Sequence, residues 1–180
     1  MKSPYKFGNL LFCPIAHQDL ADIKDWRNEQ MDICRQWKPL TDYNQEEWWK
    51  ELSTSDKQVI FAIKDSDGEL IGYCGLVYID YINRKAEFSI QISTERAIKN
   101  YIYREDFMAT AKMICEYGFK TLNLNKITTE TFEFRKYQIK LLEQFGFQRD
   151  GMLRKNHYEQ GKYYDSINHS ILRKEYLKQE

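Results

Sequence analysis

A predicted strand near the middle of the chain carries polar side chains on one face only. Alternate side chains of a strand point to opposite faces. One face would hold Ala86, Phe88, Ile90 and Ile92, and the other Glu87, Ser89 and Gln91. The polar face, which carries Glu87, is therefore either solvated or functional.

A polar loop follows this strand, and a helix follows the loop. The apolar stripe of that helix is Phe107, Ala111, Ile114 and Gly118, with Asp106 as the expected N-cap. The first amides of a helix have no carbonyl partner inside it, and the helix dipole is positive at that end. The strand, loop and helix are therefore predicted to form an anion-binding site.

The elements that must position these residues follow in the order β-α-α-β-β-β-α-β-α-β-β. Three consecutive antiparallel strands are expected over 59–63, 70–79 and 86–92. The later strand–helix–strand unit should make a parallel crossover. We predict the α/β (α+β) class, with a mixed, mostly antiparallel sheet and helices on both faces. Residues 1–180 are expected to form a single domain, in which 173–180 are a frayed tail.

The composition argues against several classes of partner. Lys+Arg and Asp+Glu both number 27, so the formal net charge is zero and nucleic acid meets no bulk attraction. The apolar runs are far shorter than the roughly 20 residues that span a bilayer, and the N-terminus does not resemble a secretory signal. We therefore predict a cytoplasmic protein with neither nucleic-acid nor membrane partners.

The potential metal ligands are scattered along the chain. Cys13, Cys34, Cys74 and Cys115 include no CxxC pair, and no histidine lies at zinc spacing from them. Buried, reduced thiols and the absence of a metal site are the expected outcome.

Six local strings, in this order, resemble the GNAT superfamily of acetyl-CoA-dependent N-acetyltransferases over residues 10–176. They are Leu11-Phe12-Cys13-Pro14-Ile15, Asp25-Trp26-Arg27-Asn28, Gln45-Glu46-Glu47-Trp48, Ile71-Gly72-Tyr73-Cys74-Gly75-Leu76, Glu143-Gln144-Phe145-Gly146-Phe147 and Gly161-Lys162-Tyr163-Tyr164-Asp165. The chain looks most similar to the branch that contains ribosomal-protein and nucleotide-sugar N-acetyltransferases. The resemblance implies direct transfer of an acetyl group from acetyl-CoA to a primary amine.

The resemblance places the site for coenzyme A between the polar-faced strand and the helix after it. It implies that backbone N–H groups around Gln91, Ile92 and Ser93 stabilise the developing oxyanion. It also places the pyrophosphate turn at Ile102-Tyr103-Arg104-Glu105-Asp106-Phe107. On the following helix it implies that Arg135 replaces the family's asparagine and can reach a phosphate.

This turn departs from the family pattern, because Glu105 and Phe107 occupy the places of its two glycines. A Cβ at a positive-φ position is strained, and a carboxylate repels a pyrophosphate. Two outcomes are open. Either Arg104, Lys99 or Arg96 supplies compensating positive charge, or the turn is rebuilt and coenzyme A binds weakly or not at all.

Within the resemblance, Glu87 is the candidate catalytic residue, because the acceptor amine must lose a proton before it can attack. The alternative is that Glu87 is a structural residue paired with Arg84 or Lys85. Many family members carry a tyrosine as general acid where this chain has Leu142.

Three further residues are candidates for binding the acceptor. Arg27 and Asn28 lie at a helix end, where Arg27 would suit the diphosphate of a nucleotide sugar or would simply lie on the surface. Asp165 would orient an amine or hydroxyl of the substrate, or would pair with Lys162 or Arg154.

The sequence thus favours an acetyl-CoA-dependent N-acetyltransferase acting on a small-molecule amine, such as an amino-sugar nucleotide. A GNAT-fold binding module without cofactor is the first alternative, and a protein N-terminal acetyltransferase is the second. A homodimer is the expected assembly if the chain self-associates.

Overall fold

The computed structural model describes residues 5–178, in which eight strands form one sheet of order β1-β2-β3-β4-β5-β6-β8-β7. The strands are β1 (Tyr5–Phe7), β2 (Leu10–Pro14), β3 (Val59–Lys64), β4 (Leu70–Asp80), β5 (Lys85–Ile92), β6 (Lys126–Phe132), β7 (Gln148–Glu159) and β8 (Lys162–Leu172). The helices are α1 (Leu20–Glu29), α2 (Asp42–Thr54), α3 (Thr94–Ala97), α4 (Asn100–Glu116), α5 (Lys136–Phe145) and α6 (Arg173–Tyr176). Short 3-10 turns flank α1 at His17–Asp19 and Met31–Ile33, and a π-helical turn, Tyr117–Thr121, follows α4.

The sheet contains one parallel pair, β5 with β6, among the pairings of the described residues. These two strands pair over three residues only, Lys85–Glu87 with Lys126–Thr128. The connection between them includes α4, as a parallel pair requires a long crossover. Beyond Glu87 the two strands diverge, and this divergence positions the candidate site.

Helices cover both faces of the sheet. On one face Phe88 of β5 packs against Phe107 of α4, with ring centroids 6.1 Å apart. On the other face the side chain of Gln30, just after α1, bonds to the backbone carbonyl of Ile92 at 3.0 Å. The predicted alternation holds at the start of β5, where Ala86 and Phe88 are buried at 2% and 3% exposure, whereas Gln91 of the predicted polar face is also buried.

The predicted fold class and order of elements are confirmed. The structure adds a short strand, β1, at the sheet edge beside β2, and two single-turn helices, α3 and α6. Such short elements contain too few residues to show a periodicity in sequence.

The prediction of a frayed tail is wrong for residues 173–176, which form α6. Tyr176 is 4% exposed, and its ring lies 5.5 Å from the ring of Phe119 and 6.4 Å from that of Phe145. Burial of an aromatic ring against the core stabilises the end of the chain. Residues 179–180 of the predicted tail lie outside the described residues.

The prediction that α4 begins at Asp106 is also wrong, because the helix begins at Asn100. Asp106 is 3% exposed inside the helix, where both carboxylate oxygens accept hydrogen bonds from Arg96 at 2.8 and 2.9 Å. A short acidic residue is typical of an N-cap, but here an arginine from the preceding connection neutralises it within the helix.

Candidate active site

A cavity of about 870 Å³ opens where β5 and β6 diverge. The pairing of the two strands ends at Glu87 and Thr128, so the rest of β5 presents an unpaired backbone edge to the cavity. Unpaired strand edges offer both N–H donors and C=O acceptors to a ligand. The cavity runs from the connection after α1, across β5, to the first residues of α4 and α5.

The hydrogen bonds of β5 show which of its amides face this edge. The N–H of Ser93 donates to the carbonyl of Ile71 beside β4, at 2.9 Å. Backbone groups alternate between the two edges of a strand, so the N–H of Gln91 also points to β4. The amides of Ile90 and Ile92 then face the cavity. Of the three predicted oxyanion donors, the N–H of Ile92 faces the cavity, whereas the N–H groups of Gln91 and Ser93 point towards β4.

Two glutamates from adjacent strands lie at the floor of the cavity. The side chains of Glu87 on β5 and Glu130 on β6 are 17% and 16% exposed. Arg35, from the connection between α1 and α2, donates to Glu87 and lies 3.6 Å from Glu130 Oε2. The cavity floor is therefore a pair of carboxylates that together hold one cation.

The predicted alternative partners of Glu87 are wrong. Arg84 directs its guanidinium away from Glu87 and donates from Nε to the carbonyl of Asn123 at 2.8 Å. Lys85 is exposed at the start of β5. The side chain of Glu87 pairs with Arg35 and not with Lys85.

The starts of α4 and α5 meet at the other end of the cavity. The hydroxyl of Tyr137 donates to the backbone carbonyl of Asn100 at 2.9 Å, and the hydroxyl of Tyr103 donates to Gln138 Oε1. Burial raises the pKa of Tyr103, and a hydrogen bond with Arg135 opposes that shift. Two helix N-termini and the cationic side chain of Arg135 thus line one region, an arrangement that suits a phosphate group.

The predicted pyrophosphate turn at 102–107 is wrong, because these residues are helical. Phe107 is fully buried in the core, and Arg104 and Glu105 are exposed on α4; all three lie outside the residues that line the cavity. The true connection between β5 and α4 is 93–99, which also lacks glycine. Within residues 5–178, no position of this connection has a positive φ, so it can carry a Cβ at every residue without strain. The steric cost expected from the missing glycines therefore does not arise.

The structure places Arg27 at the cavity and Asn28 outside it. The Nε of Arg27 is buried and has no hydrogen-bond partner among the described residues. Nearby, burial raises the pKa of Tyr73 to about 12, and Arg27 opposes that shift. Asn28 instead bonds to both the N–H and the carbonyl of Leu40, at 2.7 and 2.9 Å, and so fixes the connection before α2.

Asp165 also has a structural contact rather than a place at the cavity. Its Oδ1 accepts a hydrogen bond from the backbone N–H of Lys155 at 2.8 Å. Lys155 has a φ of 51° in the irregular part of the β7–β8 pairing. Asp165 therefore stabilises a strained bulge, and among the described residues its carboxylate contacts the backbone of Lys155 rather than the side chain of Lys162 or Arg154.

Five of the residues predicted from sequence line the cavity together. They are Arg27, Glu87, Gln91, Ile92 and Arg135. Gln91 is 7% exposed; its Oε1 accepts a hydrogen bond from the thiol of Cys34 at 3.0 Å, while its Nε2 has no partner among the described residues. An amide with unused donors at the wall of a cavity is available to a ligand.

Sequence reasoning missed Glu130 and Arg35. The signal for Glu130 was present, since Thr128, Glu130 and Phe132 alternate with Ile127 and Thr129 along β6. Arg35 lies in an irregular connection, where no periodicity indicates the direction of a side chain.

The comparisons with known proteins agree with this geometry. The family model described as "Acetyltransferase (GNAT) domain" matches residues 14–168. The chain belongs to the GNAT family. The spermidine N(1)-acetyltransferase of Escherichia coli (strain K12) is 32% identical to this GNAT protein over 166 residues, which cover 91% of this chain and 86% of the relative.

Solved structures of GNAT proteins are similar over nearly the whole chain. The spermidine N-acetyltransferase from Vibrio cholerae in complex with CoA and spermine has a TM-score of 0.79 and 26% sequence identity, covering 94% of this chain and 98% of that one. A dodecameric structure of spermidine N-acetyltransferase from the same organism has a TM-score of 0.76 and 25% identity, covering 95% and 98%. The superfamily prediction is confirmed, whereas these relatives do not support the placement near ribosomal-protein and nucleotide-sugar enzymes.

This GNAT protein is an N-acetyltransferase that uses acetyl-CoA to acetylate an amine. A binding module that has lost its cofactor, the first alternative from the sequence, is therefore not retained. Among residues 5–178, no helix is both long and apolar enough to cross a membrane. The same residues contain no cluster of three or more His, Cys, Asp or Glu side chains placed to hold a metal ion.

Proposed function

We propose that the acceptor is a small amine carrying several positive charges, of the polyamine class. The observation that supports this most directly is the pair of carboxylates, Glu87 and Glu130, at the floor of the cavity. Buried carboxylates require a cationic partner, and an alkylammonium group supplies one. The relatives named as spermidine N-acetyltransferases act on the same class of molecule.

In this proposal Glu87 is the general base. Acetyl-CoA supplies the acetyl group as a thioester, and the neutral amine of the acceptor attacks its carbonyl carbon directly. A C–N bond forms, the C–S bond breaks, and coenzyme A leaves as a thiolate that takes up a proton from solvent. Glu87 lies beside the unpaired edge of β5 and accepts the proton that the amine loses, directly or through a water molecule. The amides of Ile90 and Ile92, on that edge, donate hydrogen bonds to the acetyl oxygen as negative charge develops there.

The residues of this chain fit coenzyme A at the opposite end of the cavity. Arg135 and Lys136 bring two positive charges to the start of α5, beside the free amides at the start of α4. Gln91 has unused N–H donors at the cavity wall. We propose that Arg135 and the first amides of α4 hold the phosphates. The predicted contacts from Arg104, Glu105, Asp106 and Phe107 have no support in the geometry.

A panel of amines under one set of conditions tests the acceptor class. Acetyl transfer from acetyl-CoA would be measured with spermidine, with a singly charged alkylamine, with a nucleotide-linked amino sugar and with a peptide that has a free N-terminus. We expect the highest kcat/KM for spermidine. A higher kcat/KM for the amino-sugar nucleotide would overturn the proposal and would give Arg27 the diphosphate role expected from sequence.

The assembly and location of the protein remain predictions. The sequence predicts a homodimer, whereas a relative from Vibrio cholerae is dodecameric; we propose a homo-oligomer for this protein. All four cysteines of the chain are free thiols, which is compatible with the reducing cytoplasm predicted from sequence.

A further inference from the structure

Arg35 occupies the position where the proposed acceptor would place a positive charge. Its guanidinium donates to Glu87 Oε1, and its Nη1 lies 3.5 Å from Glu87 Oε2 and 3.6 Å from Glu130 Oε2. We propose that Glu87 and Glu130 form the ammonium-binding subsite of the enzyme, and that Arg35 is the resident cation of this subsite until the acceptor displaces it. This inference rests on the proposed function.

The charges and burial of the three side chains support this assignment. Both carboxylates are more than four-fifths buried, whereas the side chain of Arg35 is 47% exposed. The acids therefore belong to the floor of the cavity, and the guanidinium lies above them, towards solvent. Guanidinium and alkylammonium ions bind carboxylates through the same charge-assisted hydrogen bonds, so they compete for one position.

Arg35 also interferes with the proposed base. A carboxylate that is paired with a guanidinium has a weaker tendency to accept a proton from an amine. Glu87 can therefore act as a base only after Arg35 has left it. When the ammonium group of the acceptor replaces Arg35, the same exchange binds the substrate and frees Glu87 to act as the base.

This exchange needs only a rotation of the Arg35 side chain. The residues on either side of Arg35 are anchored, since the thiol of Cys34 bonds to Gln91 Oε1 and Gln36 Nε2 bonds to Asn28 Oδ1, each at 3.0 Å. In the position where it pairs with the carboxylates, the Arg35 guanidinium carbon already lies 5.9 Å from the ring centroid of Tyr78, which is 68% exposed and lines the cavity. A rotation that keeps this cation–π contact can release the guanidinium from its carboxylate partners.

The experiment compares wild type with Arg35→Gln, Arg35→Lys and a charge-matched control, Arg154→Gln. Arg154 is exposed on β7 and outside the residues that line the cavity. Spermidine affinity would be measured by calorimetry without acetyl-CoA, and the KM values of both substrates by steady-state kinetics. We expect Arg35→Gln to tighten spermidine binding by about three- to fivefold, the upper part of the range for a partly exposed ion pair. The KM for acetyl-CoA, and both constants of Arg154→Gln, should stay within about twofold of wild type.

Competition by added guanidinium ion distinguishes the proposed role of Arg35 from a structural one. If Arg35 had only a structural role, the free ion would not compete specifically with spermidine. Well below denaturing concentrations, it should compete with spermidine in Arg35→Gln more strongly than the same concentration of sodium chloride does. Arg35→Lys keeps a cation in place and should stay close to wild type.

The inference is wrong if Arg35→Gln binds spermidine as wild type does or more weakly, or if guanidinium has no more effect than sodium chloride. A fall in kcat with unchanged spermidine affinity would instead make Arg35 a residue that orients Glu87. These failures differ from failure of the proposed function, in which the wild-type enzyme itself does not acetylate spermidine. Thermal unfolding of each variant separates all of them from a loss of folded protein.

Discussion

Arg96 and Asp106 form a two-point ion pair that ties the connection after β5 to the body of α4. Both oxygens of Asp106 accept from the guanidinium, at 2.8 and 2.9 Å, and this hydrogen-bonded pairing raises the pKa of Arg96. In the family pattern glycines shape this connection, whereas here a side-chain contact holds it. The contact fixes where the first amides of α4 point, and therefore the proposed phosphate site.

We expect Asp106→Ala to destabilise the protein and to weaken acetyl-CoA binding together. The loss in free energy of unfolding should be about 2 kcal/mol, below the range for a fully buried pair because the Arg96 side chain is 29% exposed. Urea unfolding and calorimetric titration with acetyl-CoA measure the two effects. Asp67→Ala, at an exposed turn, is the control. Equal stability of the two variants would mean that the ion pair does not hold the connection.

Arg135→Gln should raise the KM for acetyl-CoA by about tenfold or more, because it removes a charged hydrogen-bond donor from the proposed phosphate site. The kcat at saturating substrate should change little, since Arg135 contacts Tyr103 of α4, whereas Glu87 contacts Arg35. Lys140→Gln, on the exposed side of α5, removes one positive charge from the same helix and serves as the control. If both substitutions raise the KM equally, only the general charge of α5 matters.

Glu87→Gln should lower kcat by about a hundredfold, the lower end of what general-base catalysis contributes. The substitution should also change the shape of the pH–rate profile, because it removes the group that accepts the proton of the amine. Glutamine keeps the shape of the side chain, so acetyl-CoA affinity is the internal control. An unchanged profile would exclude Glu87 as the base.

The pair of Lys126 and Asp150 predicts a pH-dependent contribution to stability. Hydrogen bonds from Lys126 Nζ at 2.6 Å and Ser170 Oγ at 2.9 Å lower the pKa of Asp150 below its ordinary 3.8. A lowered pKa in the folded state stabilises the protein above the ordinary value, and the stabilisation is lost as pH falls through the lowered one. Asp150→Asn should therefore cost up to about 1 kcal/mol at neutral pH, since the Asp150 side chain is 40% exposed.

This difference between wild type and Asp150→Asn should shrink as the pH is lowered below 3.8. Urea unfolding at a series of pH values measures it. Asp22→Asn, at an exposed position of α1, should show no such trend. A constant difference across the series would mean that the Asp150 side chain stabilises the fold by its shape rather than by its charge.

The sequence alone determined the order of the main elements and the face of β5 that carries Glu87. Both depend on local periodicity, because the two-residue repeat of a strand is set by its own backbone. The same reasoning placed Arg27, Gln91, Ile92 and Arg135 near the site through the family resemblance. The same local rules gave a wrong prediction at Asp106, because aspartate is typical of an N-cap.

Only the tertiary structure decided which charges meet. Asp106 is inside α4 because Arg96 reaches it across the connection, and Glu87 faces Arg35, which is 52 positions earlier in the chain. The divergence of β5 from β6 likewise depends on a pairing that ends after three residues. A carboxylate selects its partner by distance and burial in the folded chain, and neither quantity follows from the spacing of residues along the sequence.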